Sequence, residues 1–336
     1  MNGTTTVTGP APSASVSEAW GYVSGRLSVL ETLLLPRSFF EGMLRSRSLS
    51  DARSALAKTT YRTVFTTDEQ VRGYYEALDH AAEFLRKDIF DDSPPHVLTS
   101  FFEIPQRYLA FRGLFLRAAA RGASASDLEA TFDALAANPF ERGALEGHIA
   151  ALRSRETPQS ADAVARSLYL DSAVCTLRLA LADSAPEEKV RRLLHDLAVL
   201  ESWSAVMRSR WNGTSAEVIR RWFMIPESYA EMARAAAALA ESNPVGGIAG
   251  FVSDNAFRAL REAGTDQIRR NVDAAAGEAV RDQVFDCRMV TYGPERVLAY
   301  LTAFEVEQEN LRLTLASIVN GVEPRIVMER LRREYA

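Results

Sequence analysis

The stretch YGPERVLAYLTAFEVEQENLRLTLASIVNG, residues 292–321, decides the fold class. Gly293-Pro294 opens a helix, because proline at the first helical position forfeits no bond the helix needs. Asn320-Gly321 closes it, since the residue after a helix C-cap usually turns left-handed, as glycine does freely. Between them Val297, Leu301, Phe304, Gln308, Leu311, Leu315 and Ile318 recur at alternating spacings of four and three. That 3.5-residue period is the seam of a helix packed along another helix. At 1.5 Å per residue the helix runs about 40 Å. A second helix, starting at Pro324 and running to Tyr335, is expected after the glycine. The row Glu305, Glu307, Glu309 reads most simply as a solvated face; Asn310 and Arg312 follow it, and Glu309 with Arg312 forms an i,i+3 pair.

The same grammar extends through the chain. Helices are expected from Ser15 or Ser17 through Trp20, Val23, Leu27, Leu30 and Leu34, and over Arg37–Leu44. Ser48-Leu-Ser50-Asp51 caps another that carries Ala52, Ala55 and Leu56 up to Tyr61. Further helices fit Asp68–Phe90, the run from Val97 to Arg121, Arg142–Arg153, Ser160–Leu181 and Pro186–Arg210. Glu227–Glu241, Asn255–Glu262 and Thr265–Asp286 follow. No sustained alternation of β-branched and polar residues calls for a sheet, so the chain reads as all-α.

Three helix ends look alike. Arg117-Ala-Ala-Ala-Arg-Gly122, Arg208-Ser-Arg-Trp-Asn-Gly213 and Ala316-Ser-Ile-Val-Asn-Gly321 each end a long helix on glycine, and a new capped or proline-started helix follows. The glycines are 91 and 108 residues apart, too far and too unequal for a short-period solenoid. They suit three similar helical domains: 15–122, 123–213 and 214–321, with 322–336 as a closing helix and 1–14 as a flexible tail rich in Thr, Gly, Pro and Ser. Any αα-hairpin can also end this way.

Bulk properties narrow the function. The 336 residues carry a formal net charge of −5, which argues against a dedicated nucleic-acid binder. Cys175 and Cys287 form no spaced metal motif and no disulfide framework. No apolar run approaches the roughly 20 residues of a spanning helix, and no signal peptide is evident, so a soluble protein without direct membrane insertion is expected. The four histidines, His80, His96, His148 and His195, lack metal-ligand spacing. Asp91-Asp92 is followed at once by Pro94-Pro95 and reads as a loop break. Gly246-Gly-Ile-Ala-Gly250 has neither a preceding strand nor a following Lys-Ser/Thr, against a phosphate cradle.

With those residues in view, the chain resembles the C-type rotor subunits of the V/A-type ATP synthases, relatives of the d-type subunits of eukaryotic vacuolar ATPases. At the N-terminus the likeness rests on Tyr22-Val-Ser-Gly-Arg26, Leu30-Glu-Thr-Leu-Leu-Leu-Pro36, Phe39-Phe40, Ser48-Leu-Ser-Asp-Ala52 and Leu56-Ala-Lys-Thr-Thr-Tyr61. At the C-terminus it rests on Gly293-Pro294, Ala299-Tyr-Leu301, Glu305-Val-Glu-Gln-Glu-Asn-Leu-Arg312, Asn320-Gly321 and Glu329-Arg-Leu331 to Tyr335. These cover about a third of the chain. In the middle, Leu200-Glu-Ser-Trp-Ser-Ala-Val-Met-Arg208 departs from the acidic-Asn-Arg helix that related chains often carry.

The resemblance implies an all-helical, pseudo-threefold funnel of three domains. Such a protein is a non-catalytic part of the central-stalk rotor, with no cofactor. It couples the central axle subunits to the membrane proteolipid ring and transmits torque for proton or sodium transport. It would be cytoplasmic and peripheral to the membrane through the complex. Glu305, Glu307, Glu309, Asn310 and Arg312 are then candidate interface residues. Two other readings stand beside it: an unrelated helical scaffold or adaptor that binds a partner helix, and an all-α metal-dependent enzyme for which no ligand set can be named.

Overall fold

The computed structural model describes residues 16–46, 48–63, 71–153 and 162–333. The expected 1–14 tail and the end of the closing helix at Tyr335 lie outside them. Among the described residues there are sixteen α-helices and no strand. The N-terminal third holds α1 (Val16–Glu31), α2 (Arg37–Ser46), α3 (Leu49–Leu56), α4 (Val71–Asp92) and α5 (Val97–Ala120). Next come α6 (Ala125–Thr131), α7 (Pro139–Ala144), α8 (Glu146–Leu152), α9 (Ala163–Ser184) and α10 (Glu188–Trp211). The last third holds α11 (Ala216–Trp222), α12 (Glu227–Leu239), α13 (Asp254–Arg270), α14 (Val272–Arg288), α15 (Pro294–Val319) and α16 (Pro324–Met328).

The three glycine endings share one hydrogen-bond pattern. Gly122, Gly213 and Gly321 have φ of 68°, 89° and 63°. Behind each, the next amide reaches back five residues to a carbonyl: Ala123 to Ala118, Thr214 to Ser209 and Val322 to Ser317, at 3.1, 3.0 and 2.9 Å. This is the Schellman closure, which satisfies carbonyls that the helix end orphans. Ser124 and Ser215 then cap α6 and α11 through their side chains, while Pro324 starts α16.

Packing follows a regular neighbour order. α9 and α10 pair along their lengths, as do α14 and α15. Between segments, α5 packs on α9, α10 on α14, and α15 on α4. α4 leans on α1 and α15 rather than along α5. The first and last thirds interlock, because α1, α2 and α3 all pack on α15. α15 is therefore buried almost all round, from Val297 and Leu298 to Thr314 and Leu315, as a helix at the centre of a large all-α protein must be. The apolar core is continuous, with Phe111, Phe115, Phe132 and Tyr169 grouped where α5 meets α9.

Five expectations need correction. The helix expected to reach Tyr61 stops at Leu56, and Tyr61 lies in a separate 3-10 turn, Thr60–Thr63. The helix expected over 142–153 is two, α7 and α8, meeting at Leu145. The break expected between Glu262 and Thr265 is only a kink, where Gly264 takes φ 74° inside α13. The real helix boundary falls at Asn271, whose side chain accepts from the Ala274 amide and caps α14. The closing helix stops at Met328, and residues 329–333 form a short strap. α16 and this strap reach the N-terminal third: α16 packs on α2, and Arg37 donates to the Met328 carbonyl at 3.0 Å.

Candidate functional site

The long helices enclose a cavity of about 930 Å³. Its wall takes residues from α4, α5, α9, α10 and α15, the elements whose neighbour order was just described. Apolar packing behind the wall holds these helices in place. Polar and charged side chains of these helices turn into it. The lining is dense in opposite charges, most of them spent on each other. Arg312 of α15 pairs with Asp79 of α4. Arg178 of α9 pairs with Glu201 of α10 at 2.5 Å and lies 5.0 Å over the Phe101 ring. Arg208 of α10 pairs with Asp273 of α14. Tyr108 of α5 donates to Asp171 of α9. Each pair ties one helix to another across the wall.

Glu305, Arg86 and Arg112 have no ion pair among the described residues; Arg112 donates to the Tyr108 hydroxyl at 3.5 Å and lies 6.0 Å over its ring. Among the described residues no hydrogen bond reaches the Glu305 carboxylate. Burial pushes its pKa up to about 7; Arg178 and Arg86 pull it down, while Glu309 and Glu201 push it higher. The Arg86 guanidinium is itself lowered by burial, partly offset by Glu305, and its Nε is buried without a partner. Glu309 faces the cavity with about half its side chain open, yet the surrounding walls still raise its pKa. Glu201 and Glu309 occupy equivalent places, each twelve residues before its closing glycine. The third such place, Ala110, is apolar.

The structure divides the five candidate residues. Glu305, Glu309 and Arg312 line the cavity. Glu307 and Asn310 turn away from it. Glu307, 4% exposed, is no part of a solvated face. It accepts from the Leu35 amide and, at 2.5 Å, from the Tyr61 hydroxyl. Asn310, 1% exposed, pairs with the backbone of Arg332. The expected Glu309–Arg312 pair is also replaced: Glu309 binds Arg332 at 2.7 Å, and Arg312 binds Asp79. Longer-range partners outcompete the local pair because they are held in place by packing, whereas an i,i+3 pair contributes only about 0.2–0.5 kcal/mol.

Sequence reasoning missed Arg86, Arg178, Glu201 and Asp79. Only Glu201 carried a usable signal, its register before Gly213. The histidines are satisfied where the structure describes them. His96 caps α5 and meets Glu187 at 2.8 Å; buried His148 meets the Ser172 hydroxyl at 3.0 Å. Asp92 ends α4 and pairs with Arg26 of α1. Gly247 packs so close to α12 that a Cβ would lie 2.3 Å from the Ala236 amide, a packing role for the glycine run. Among the described residues no group of three His, Cys, Asp or Glu side chains is placed to hold a metal, and no helix is long and apolar enough to cross a membrane.

No family model matches the chain, and no curated protein matches it either.

Proposed function

We propose that the chain is a non-catalytic rotor component of a V/A-type ATPase or ATP synthase, a socket between the central axle and the proteolipid ring. The observation that carries this reading is the recurrence of one unit around one cavity. Three long helices, α5, α10 and α15, end in the same Schellman closure. Each packs on the helix that precedes the glycine-ended helix of the next unit, α5 on α9 and α10 on α14, and α15 returns to α4, which closes the order on itself. Such a cycle supports a pseudo-threefold funnel whose lumen is the charged cavity.

The chemistry of the wall suits a docking site. Close-packed helices deform little and so can carry torque. A lining of opposite charges fixes the register of a docked partner more than it adds raw affinity. Glu305 and Arg86, desolvated and outside the salt bridges of the wall, would gain most from complementary charges on an inserted helix end.

Purification of the tagged chain from its native membranes tests the reading. Recovery of axle and proteolipid subunits supports it. Recovery of an unrelated helical partner alone would favour the adaptor reading instead.

A further inference from the structure

The segment after Met328 is held as a bound peptide is held. Asn310 matches both backbone groups of one residue: its Nδ2 donates to the Arg332 carbonyl at 3.0 Å, and the Arg332 amide donates to its Oδ1 at 2.9 Å. The Arg332 guanidinium donates to the Asp273 carbonyl at 2.8 Å and pairs with Glu309 at 2.7 Å. Gly277 of α14 leaves room for it, since a Cβ there would meet the guanidinium at 3.4 Å. The next amide, of Arg333, donates to Glu278 at 3.3 Å. Val327 and Leu331 are buried on either side of the turn as apolar anchors.

This division of labour is the one by which proteins read extended peptides: main-chain bonds give affinity, and pockets for particular side chains give specificity. We infer that the groove between α14 and α15 is a peptide-recognition site for an extended Leu-Arg segment, occupied in cis by the chain's own C-terminal strap. Asn310 reads the backbone, and Glu309 with the Asp273 carbonyl reads the arginine. The same carboxylate lines the central cavity, so release of the strap changes the charge of the cavity wall. The inference is independent of the rotor reading, because every contact in it lies within this chain.

The test uses the full-length protein and a fluorescent peptide of residues 326–333, followed by anisotropy. A tethered segment holds its site at an effective concentration in the millimolar range, so the parent chain should bind the peptide weakly. Arg332→Ala loosens the strap while leaving Asn310 and Glu309 in place. It should bind the peptide about tenfold or more tightly than the parent, the gain expected when an intramolecular competitor is weakened. The same peptide carrying Arg332→Ala, with Arg330 and Arg333 kept, should lose that gain. Equal binding of both peptides, or no gain in a variant with an unchanged circular-dichroism spectrum, would overturn the inference. Hydrogen exchange on the parent chain gives a second reading. The Arg332 and Arg333 amides should exchange faster than those of α15, through local opening. Exchange only through global unfolding would show the strap to be a fixed part of the core.

Discussion

The Tyr61 hydroxyl donates to Glu307 Oε1 at 2.5 Å across 246 positions of sequence. Gln308 Nε2 donates in turn to the Tyr61 oxygen at 2.5 Å, and the Leu35 amide completes the carboxylate. Burial, and then the Glu307 charge, raise the tyrosine pKa well above its usual value, so the phenol stays protonated as donor. This small network clamps the N-terminal segment onto the middle of α15.

Glu307→Ala should therefore destabilise the protein. It leaves the Leu35 amide and the Tyr61 hydroxyl buried without an acceptor, at about 1–3 kcal/mol for each orphaned group. Tyr61→Phe removes the donor and should cost about 2 kcal/mol by the same reasoning. The double variant should cost less than the sum, because the two residues share one interaction. Urea unfolding of the four chains measures this; additive costs would contradict the shared network.

Leu311→Asp should be among the most damaging single changes. Leu311 is 0% exposed on the α15 seam, and a carboxylate there has no partner. A loss above about 4 kcal/mol is expected. Thermal unfolding checks it, and an unchanged midpoint would refute the seam.

Gly321→Ala should cost about 1–2 kcal/mol, the penalty for an L-residue held left-handed. Open space surrounds the position, so conformation alone sets the cost. Gly122→Ala and Gly213→Ala should cost about the same if the three closures are equivalent. Unequal losses in chemical denaturation would mean the three endings do not share one geometry.

Glu305 makes a contribution of defined sign to the pH dependence of stability. Burial raises its folded pKa to about 7, above the usual carboxylate range. The folded state thus holds this proton more tightly than the unfolded chain does. Stability from this group is present in acid, falls as pH rises from the unfolded value near 4.5 to about 7, and is level above that. Glu305→Gln should remove the decline: more stable than the parent at pH 8, with a much smaller difference at pH 4.5. Titration of both proteins with urea at each pH gives the difference directly.

Much of the fold was legible because the signals are local. Ser48, Ser215 and Pro324 mark helix starts, and three glycines mark ends, through bonds spanning five residues or fewer. The split at Leu145 and the boundary at Asn271 escaped because each is set by a single residue in a helical pattern. The cavity was less legible. Glu307 looked solvent-facing because its partners lie just after α3 and just before α2, far away in sequence. One clue was available: Gln308 sits in an apolar seam beside Glu307, and a polar residue there needs partners. Arg86 and Arg178 gave no clue, since an arginine on a long helix is usually on a solvated face.

If the chain is a rotor socket, its cavity receives the axle of a rotary ATPase. A photo-crosslinking residue in place of Leu109, which lines the cavity and is 66% exposed, probes that contact in native membranes. The expected result is a crosslink to an axle protein that disappears when the complex is dissociated. An intact rotary ATPase isolated from the same membranes without this chain, and with no axle crosslink at position 109, would contradict the rotor reading.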